Sequence, residues 1–204
     1  MPSPQRYPHT ASPSRASIIG RQRAGQLAPS DTAKALEAAR GCPDAWYRVQ
    51  ALASVAAHAE ARLVLRLLEE AAREAQSCHD IYGTVAVMSW PLQVAFQRDR
   101  LGFAERELKK CLALAPQIEP LASRAYALEA LWTRCFAAGP SHAEPAWQRI
   151  LELCNPDHSW RAARLYLHVA QAQDRHNPGA AAAVIRSMAP GKARSRLERR
   201  FGLA

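Results

Sequence analysis

The stretch Leu121-Ala-Ser-Arg-Ala-Tyr-Ala-Leu-Glu-Ala-Leu-Trp-Thr-Arg-Cys-Phe-Ala137 decides how the rest of the chain is understood. It is dominated by Ala and Leu, holds neither Gly nor Pro, and lies between Pro120 and Gly139-Pro140. Ala and Leu lose little freedom in a helix, whereas Pro and Gly interrupt one, so the spacing predicts a helix over 121–137. Leu128 and Leu131, three residues apart, share one face of it, and Glu129 points elsewhere.

Moving outward, the same pattern recurs about every forty residues. Offsets of 39, 40 and 39 residues bring Val49, Met88, Leu128 and Leu167 into one apolar column, followed three residues later by Leu52, Pro91, Leu131 and Ala170. Gln50, Ser89, Glu129 and His168 form a polar column in step with them. Such agreement predicts four related first helices, at about 44–58, 82–98, 121–137 and 160–175, with partners at about 60–77, 102–115, 142–154 and 178–189. Pro116, Pro120, Gly139-Pro140, Pro156 and Pro190-Gly191 fall in the breaks, and Asn177-Pro178-Gly179 suggests an Asn cap with Pro at the first helical position. Pro91 lies inside a predicted helix and implies a kink or a later start. Ahead of the repeats, Ser30 or Asp31 caps a short helix, Thr32 to Arg40, that ends at Gly41 in a left-handed C-cap.

The second helices repeat the theme. Ala104, Leu108, Cys111, Leu112 and Pro116 alternate small, large, small, large and helix-stopping positions, and Ala61, Leu65, Leu68 and Ala72 echo them. The segment from Phe103 to Pro116 resembles the second helix of a tetratricopeptide repeat, and residues 45–189 resemble that class of helical solenoids as a pattern, with other right-handed helical-hairpin stacks remaining open. The resemblance implies an all-α fold: a right-handed stack of about four antiparallel helical hairpins, a TPR-like α-solenoid. It also implies a concave groove lined by the first helices, where an extended or helical peptide would lie. One hairpin cannot cover its own apolar face, so stability depends on neighbouring hairpins.

The chain of 204 residues suits one domain, and no run of 18 apolar residues is present to span a bilayer. Its formal charge of +9 is unevenly placed. Residues 1–40 hold six basic and two acidic side chains, residues 161–204 nine and two, and residues 41–160 twelve and fourteen. The basicity belongs to the ends, which argues against a phosphate backbone wrapped by the folded body. Five cysteines, an odd number without a CxxC pair, predict free thiols in a reducing compartment and hence a cytoplasmic protein.

Residues 1–29 carry five prolines, four arginines and no acid, and are expected to be a disordered basic leader, for which organellar or export targeting stays open. Residues 30–190 form the helical-repeat domain. Residues 191–204, with Lys192, Arg194, Arg196, Arg199 and Arg200 around Leu197 and Phe201, are expected to cap the stack as a basic helix.

Polar stripes along the first helices are the candidate partner-binding residues: Gln50, Ser54 and His58; Ser89, Gln93 and Gln97; Glu129 and Thr133; Arg164, His168, Gln171 and Arg175. Any one stripe reads first as an ordinary solvated face, and it is the agreement of the four that points to a partner surface. Cys78-His79-Asp80 and the Cys154, His158 pair lack the spacing of a zinc site, and no nucleophile motif or phosphate loop occurs, so no metal, cofactor or catalysis is expected. Five tryptophans, Trp46, Trp90, Trp132, Trp147 and Trp160, read as packing residues or as partner anchors. The function expected is that of a non-enzymatic scaffold, adaptor or chaperone binding a peptide or protein on the first-helix face. The alternative is association with nucleic acid through the basic termini.

Overall fold

The computed structural model describes residues 14–204, and among these every regular element is helical. The helices are α1 (Arg15–Leu27), α2 (Thr32–Arg40), α3 (Ala45–His58), α4 (Ala61–Ala75), α5 (Ile81–Val87), α6 (Ser89–Gln97), α7 (Leu101–Leu114), α8 (Leu121–Ala138), α9 (Glu144–Leu153), α10 (Trp160–His176), α11 (Ala181–Ser187) and α12 (Lys192–Arg200). Helix α3 packs on α4, α7 on α5 and α6, α9 on α8, and α11 on α10. The leading members also pack on one another, α3 against α6, α6 against α8, and α8 against α10. No helix among the described residues is long and apolar enough to cross a membrane.

The apolar columns explain this packing. Val49, Met88 and Leu128 are buried and Leu167 is half-buried; Leu52, Pro91, Leu131 and Ala170 are all buried. Each fully buried Leu or Val contributes roughly 1.5–3 kcal/mol, so the columns hold successive helix pairs together. Small residues between them, such as Ala53, Ala95 and Ala127, let the backbones approach closely.

Several local expectations are corrected. The helix drawn over 82–98 is two, α5 and α6, which meet at Met88. Pro91 has no N–H to give the Val87 carbonyl, so the chain restarts and places Pro91 in the first turn of α6, where an amide would have no intrahelical partner. Helix α11 starts at Ala181 and not at Pro178. Gly179 sits at φ +91°, and the Asp174 carboxylate, rather than Asn177, accepts from the Gly179 and Ala181 amides. Gly41 keeps right-handed backbone, φ −73°, in place of a left-handed cap, while Asp31 caps α2 by accepting from the Lys34 amide at 3.0 Å.

The largest departure concerns the leader. Its first thirteen residues lie outside the described residues, but Arg15–Leu27 form α1, packed on α2 and α3. Composition predicts disorder because large apolar side chains are scarce. Helix α1 instead buries small ones: Ser17, Ala24 and the adjoining Ala28. Ser17 Oγ accepts from the Asp44 amide at 3.1 Å, and Gly20 lies so near Cys42 that a Cβ there would come within 2.8 Å of its Sγ. Close backbone approach replaces bulk as the source of contact.

At the other end Leu197 of α12 is buried and Phe201 half-buried, and Arg194 donates to the carbonyls of Arg186 and Met188 at 3.3 Å. Arginines close helix ends elsewhere too. Arg98, just past α6, donates to the Ala57 and Ala59 carbonyls at 2.5 and 2.8 Å and so occupies the last acceptors of α3.

Candidate functional site

The face made by α3, α5, α6, α8 and α10 carries a recurring arrangement of three side chains. An aromatic residue stands three positions before a Gln or Glu on one helix, and an arginine from a neighbouring helix lies over the ring and bonds to the amide or carboxylate. Arg21 of α1 lies 5.6 Å over Tyr47 and donates to Gln50 Oε1 at 2.9 Å. Arg134 of α8 lies 3.6 Å over Trp90 and donates to Gln93 Oε1 at 2.7 Å. Arg161 of α10 lies 3.3 Å over Tyr126 and is ion-paired with Glu129. A planar guanidinium suits both contacts at once, because its face meets the ring's negative π-cloud while its edge donates hydrogen bonds.

Trp90, Arg134, Tyr126, Glu129 and Arg161 of the second and third sets line two adjoining clefts. The first, about 320 Å³, lies among Trp46, Tyr82, Ser89, Trp90, Tyr126, Glu129, Ala130, Thr133, Arg134 and Arg161. Trp46 and Tyr82 stack there with centroids 6.2 Å apart. The second, about 630 Å³, lies among Tyr126, Glu129, Arg161, Arg164, Leu167, His168, Gln171 and Arg200. Tyr126, Glu129 and Arg161 belong to both, so one half of the face is aromatic and the other cationic.

Of the residues chosen from sequence, Ser89, Glu129, Thr133, Arg164, His168 and Gln171 line these clefts. Ser89 is buried at the floor, its hydroxyl donating to the Ala86 carbonyl at 2.7 Å. Gln50 is buried beneath Arg21 and is not part of a solvated stripe, and Ser54 is half-buried, its hydroxyl donating to the Gln50 carbonyl at 3.0 Å. Gln93 is engaged by Arg134. His58, Gln97 and Arg175 are exposed near the C-terminal ends of α3, α6 and α10, outside both clefts.

Sequence reasoning passed over Tyr82, Tyr126, Arg134, Arg161 and Arg200 as site residues. Trp46 and Trp90 line the aromatic half, whereas Trp132 and Trp147 are core, and Trp160, 65% exposed, starts α10 outside both clefts. The aromatic-x-x-Gln/Glu spacing at Tyr47, Trp90 and Tyr126 was the available signal.

Electrostatically, Glu129 is the hub. One of its oxygens pairs with Arg161 and the other lies 2.7 Å from His168 Nδ1. Burial, with the positive charges of Arg175, Arg161 and Arg164, holds the His168 imidazole below its ordinary range. Arg161 already balances the Glu129 charge, so the carboxylate does little to favour an imidazolium. Among the described residues no group of three or more His, Cys, Asp or Glu side chains converges as metal ligands would. Burial pushes the thiols of Cys78, Cys111 and Cys135 up to about 12 and that of Cys154 to about 11. No family model, curated protein or solved structure matches the chain.

Proposed function

We propose that this chain is a non-enzymatic interaction scaffold, a short right-handed stack of helical hairpins of tetratricopeptide-like kind, that binds a peptide or protein segment on the face of its leading helices. The observation that carries the reading is the continuity of the aromatic and cationic clefts through Tyr126, Glu129 and Arg161. A recessed face of this kind, with fixed polar groups and apolar walls, suits a chain segment. The forty-residue period and the packing of each leading helix on the next support the stacked-hairpin description. Both oxygens of Glu129 are engaged, which leaves that carboxylate as a structural hub and not a base.

A second reading, nucleic-acid association through the basic C-terminus, draws on the exposure of Lys192, Arg196 and Arg199 on α12. Selection from a random peptide library separates the two. Peptides that bind the parent chain and lose at least tenfold affinity for a folded Ala130→Arg variant, which fills the cleft, support the first reading. A library that yields nothing dependent on Ala130, together with tight and steeply salt-sensitive oligonucleotide binding, favours the second.

A further inference from the structure

We infer that the occupant of this face is an acidic segment of a partner protein, with its carboxylates against Arg164 and Arg200 and an apolar flank on the aromatic half. The inference rests on the peptide-binding reading and adds the chemistry of the peptide and its direction along the face.

Arg164 belongs to α10 and Arg200 to α12, and the chain's return through α11 brings them to one cleft. Both are exposed, and neither makes an ion pair among the described residues. Nearly every other arginine on this side is committed: Arg134 to Trp90 and Gln93, and Arg161 to Tyr126 and Glu129. Glu129, the one carboxylate lining the cationic cleft, is held by Arg161 and His168 and is not available to neutralise Arg164 or Arg200. The cleft therefore presents net positive charge, with Arg161, Arg164 and Arg200 against the single carboxylate of Glu129, and its two exposed arginines are open to an incoming carboxylate in a pairing that weakens as salt is raised. The His168 imidazole is held low first by burial and then by Arg175, Arg161 and Arg164, and the second cause agrees with this field.

The aromatic half decides between classes of anion. A nucleic acid would need open ring faces for its bases. Here Arg134 covers Trp90, Arg161 covers Tyr126, and Trp46 is stacked against Tyr82. The lining between the rings includes Ala130 and the methyl-bearing side chain of Thr133, which suits apolar side chains of a peptide. An acidic run on the α10 and α12 side, continued by apolar residues toward α3 and α5, matches both halves.

The test uses the full chain and fluorescence anisotropy with three probes of similar length. One peptide carries Trp and Leu followed by Asp and Glu, the second replaces the acids with Asn and Gln, and the third probe is single-stranded RNA. The expected result is binding of the acidic peptide at least tenfold tighter than the amide version, and a loss of tenfold or more in the Arg164→Glu, Arg200→Glu double variant. Arg199→Glu, on the same helix but outside the cleft, keeps affinity within about twofold and controls for net charge. Circular dichroism melts verify that the variants remain folded. Equal binding of the two peptides, insensitivity to the double reversal, or RNA binding tighter than either peptide overturns the inference. If library peptides of other chemistry still depend on Ala130, only the acidic assignment falls and the peptide-binding face stands. If none depends on Ala130, the face itself is wrong.

Discussion

Glu129 Oε1 lies 2.7 Å from His168 Nδ1, across 39 positions of sequence, so one copy of the polar column hydrogen-bonds the next. Residues that look like parallel solvated stripes are in this case a contact between neighbouring helices. The contact also fixes Arg161, which is only 6% exposed and depends on Glu129 for its counter-charge.

Removing that counter-charge should be costly. Glu129→Ala leaves a buried guanidinium without its carboxylate and is expected to destabilise the fold by about 3 kcal/mol or more. Converting the pair together, Glu129→Leu with Arg161→Met, should cost much less, because no buried charge is stranded. Chemical denaturation of the two variants measures the difference, and equal losses would contradict the account.

The depressed imidazole of His168 gives stability a definite slope with pH. In the folded chain His168 titrates below the 6.5 of an ordinary histidine, so between those two values the unfolded chain holds a proton that the folded chain lacks. Stability therefore rises with pH through that window, is lost as pH falls below about 6.5, and stops falling once the folded form is protonated too. His168→Gln should flatten this slope in denaturation curves. Proton NMR titration of the parent should find His168 below the free-histidine value.

The packing of α1 is open to a direct test at Gly20. Valine there would drive a Cβ to within 2.8 Å of Cys42 Sγ, an overpacking expected to cost about 1–3 kcal/mol. Cys42→Ala in the same chain should recover part of the loss, since it removes the opposing sulfur. If residues 15–27 were an unstructured leader, Gly20→Val would leave thermal stability unchanged and the second substitution would rescue nothing.

The thiols should be inert while the chain is folded. Cys111, Cys135 and Cys154 are buried, and desolvation raises all three, with Cys78, to about 11 or 12, which leaves almost no thiolate at neutral pH. A thiol-reactive chromophore should therefore label the native chain at pH 7.5 far more slowly than free cysteine, and all five sites at once after unfolding. Rapid modification of one site in the native chain would identify a cysteine whose surroundings differ from those described.

The helices were legible because their causes are local. Ala and Leu content, the breaks at Pro116, Pro120 and Gly139-Pro140, and the column Val49, Met88, Leu128 and Leu167 each follow from a few neighbouring residues. Helix α1 was not legible, because its contact rests on Gly20, Ala24 and Ser17 meeting Cys42 and Asp44. Small residues carry no amphipathic signal. The cleft lining was legible in part: six of the polar residues chosen from the stripes line the two clefts, but Gln50 and Ser89 are buried, and Arg134, Arg161 and Arg200 carry no periodic signal that marks them.

Periodicity thus determined, from sequence alone, that the chain is helical and which edge of each repeated helix turns inward, since both depend on residues three or four positions apart. Tertiary structure decided which of the remaining polar side chains are engaged within the fold and which stay exposed. That choice depends on side chains supplied from far along the chain: Arg21 closes over Gln50, Arg161 and His168 close on Glu129, and α12 carries Arg200 to the cleft that Arg164 lines.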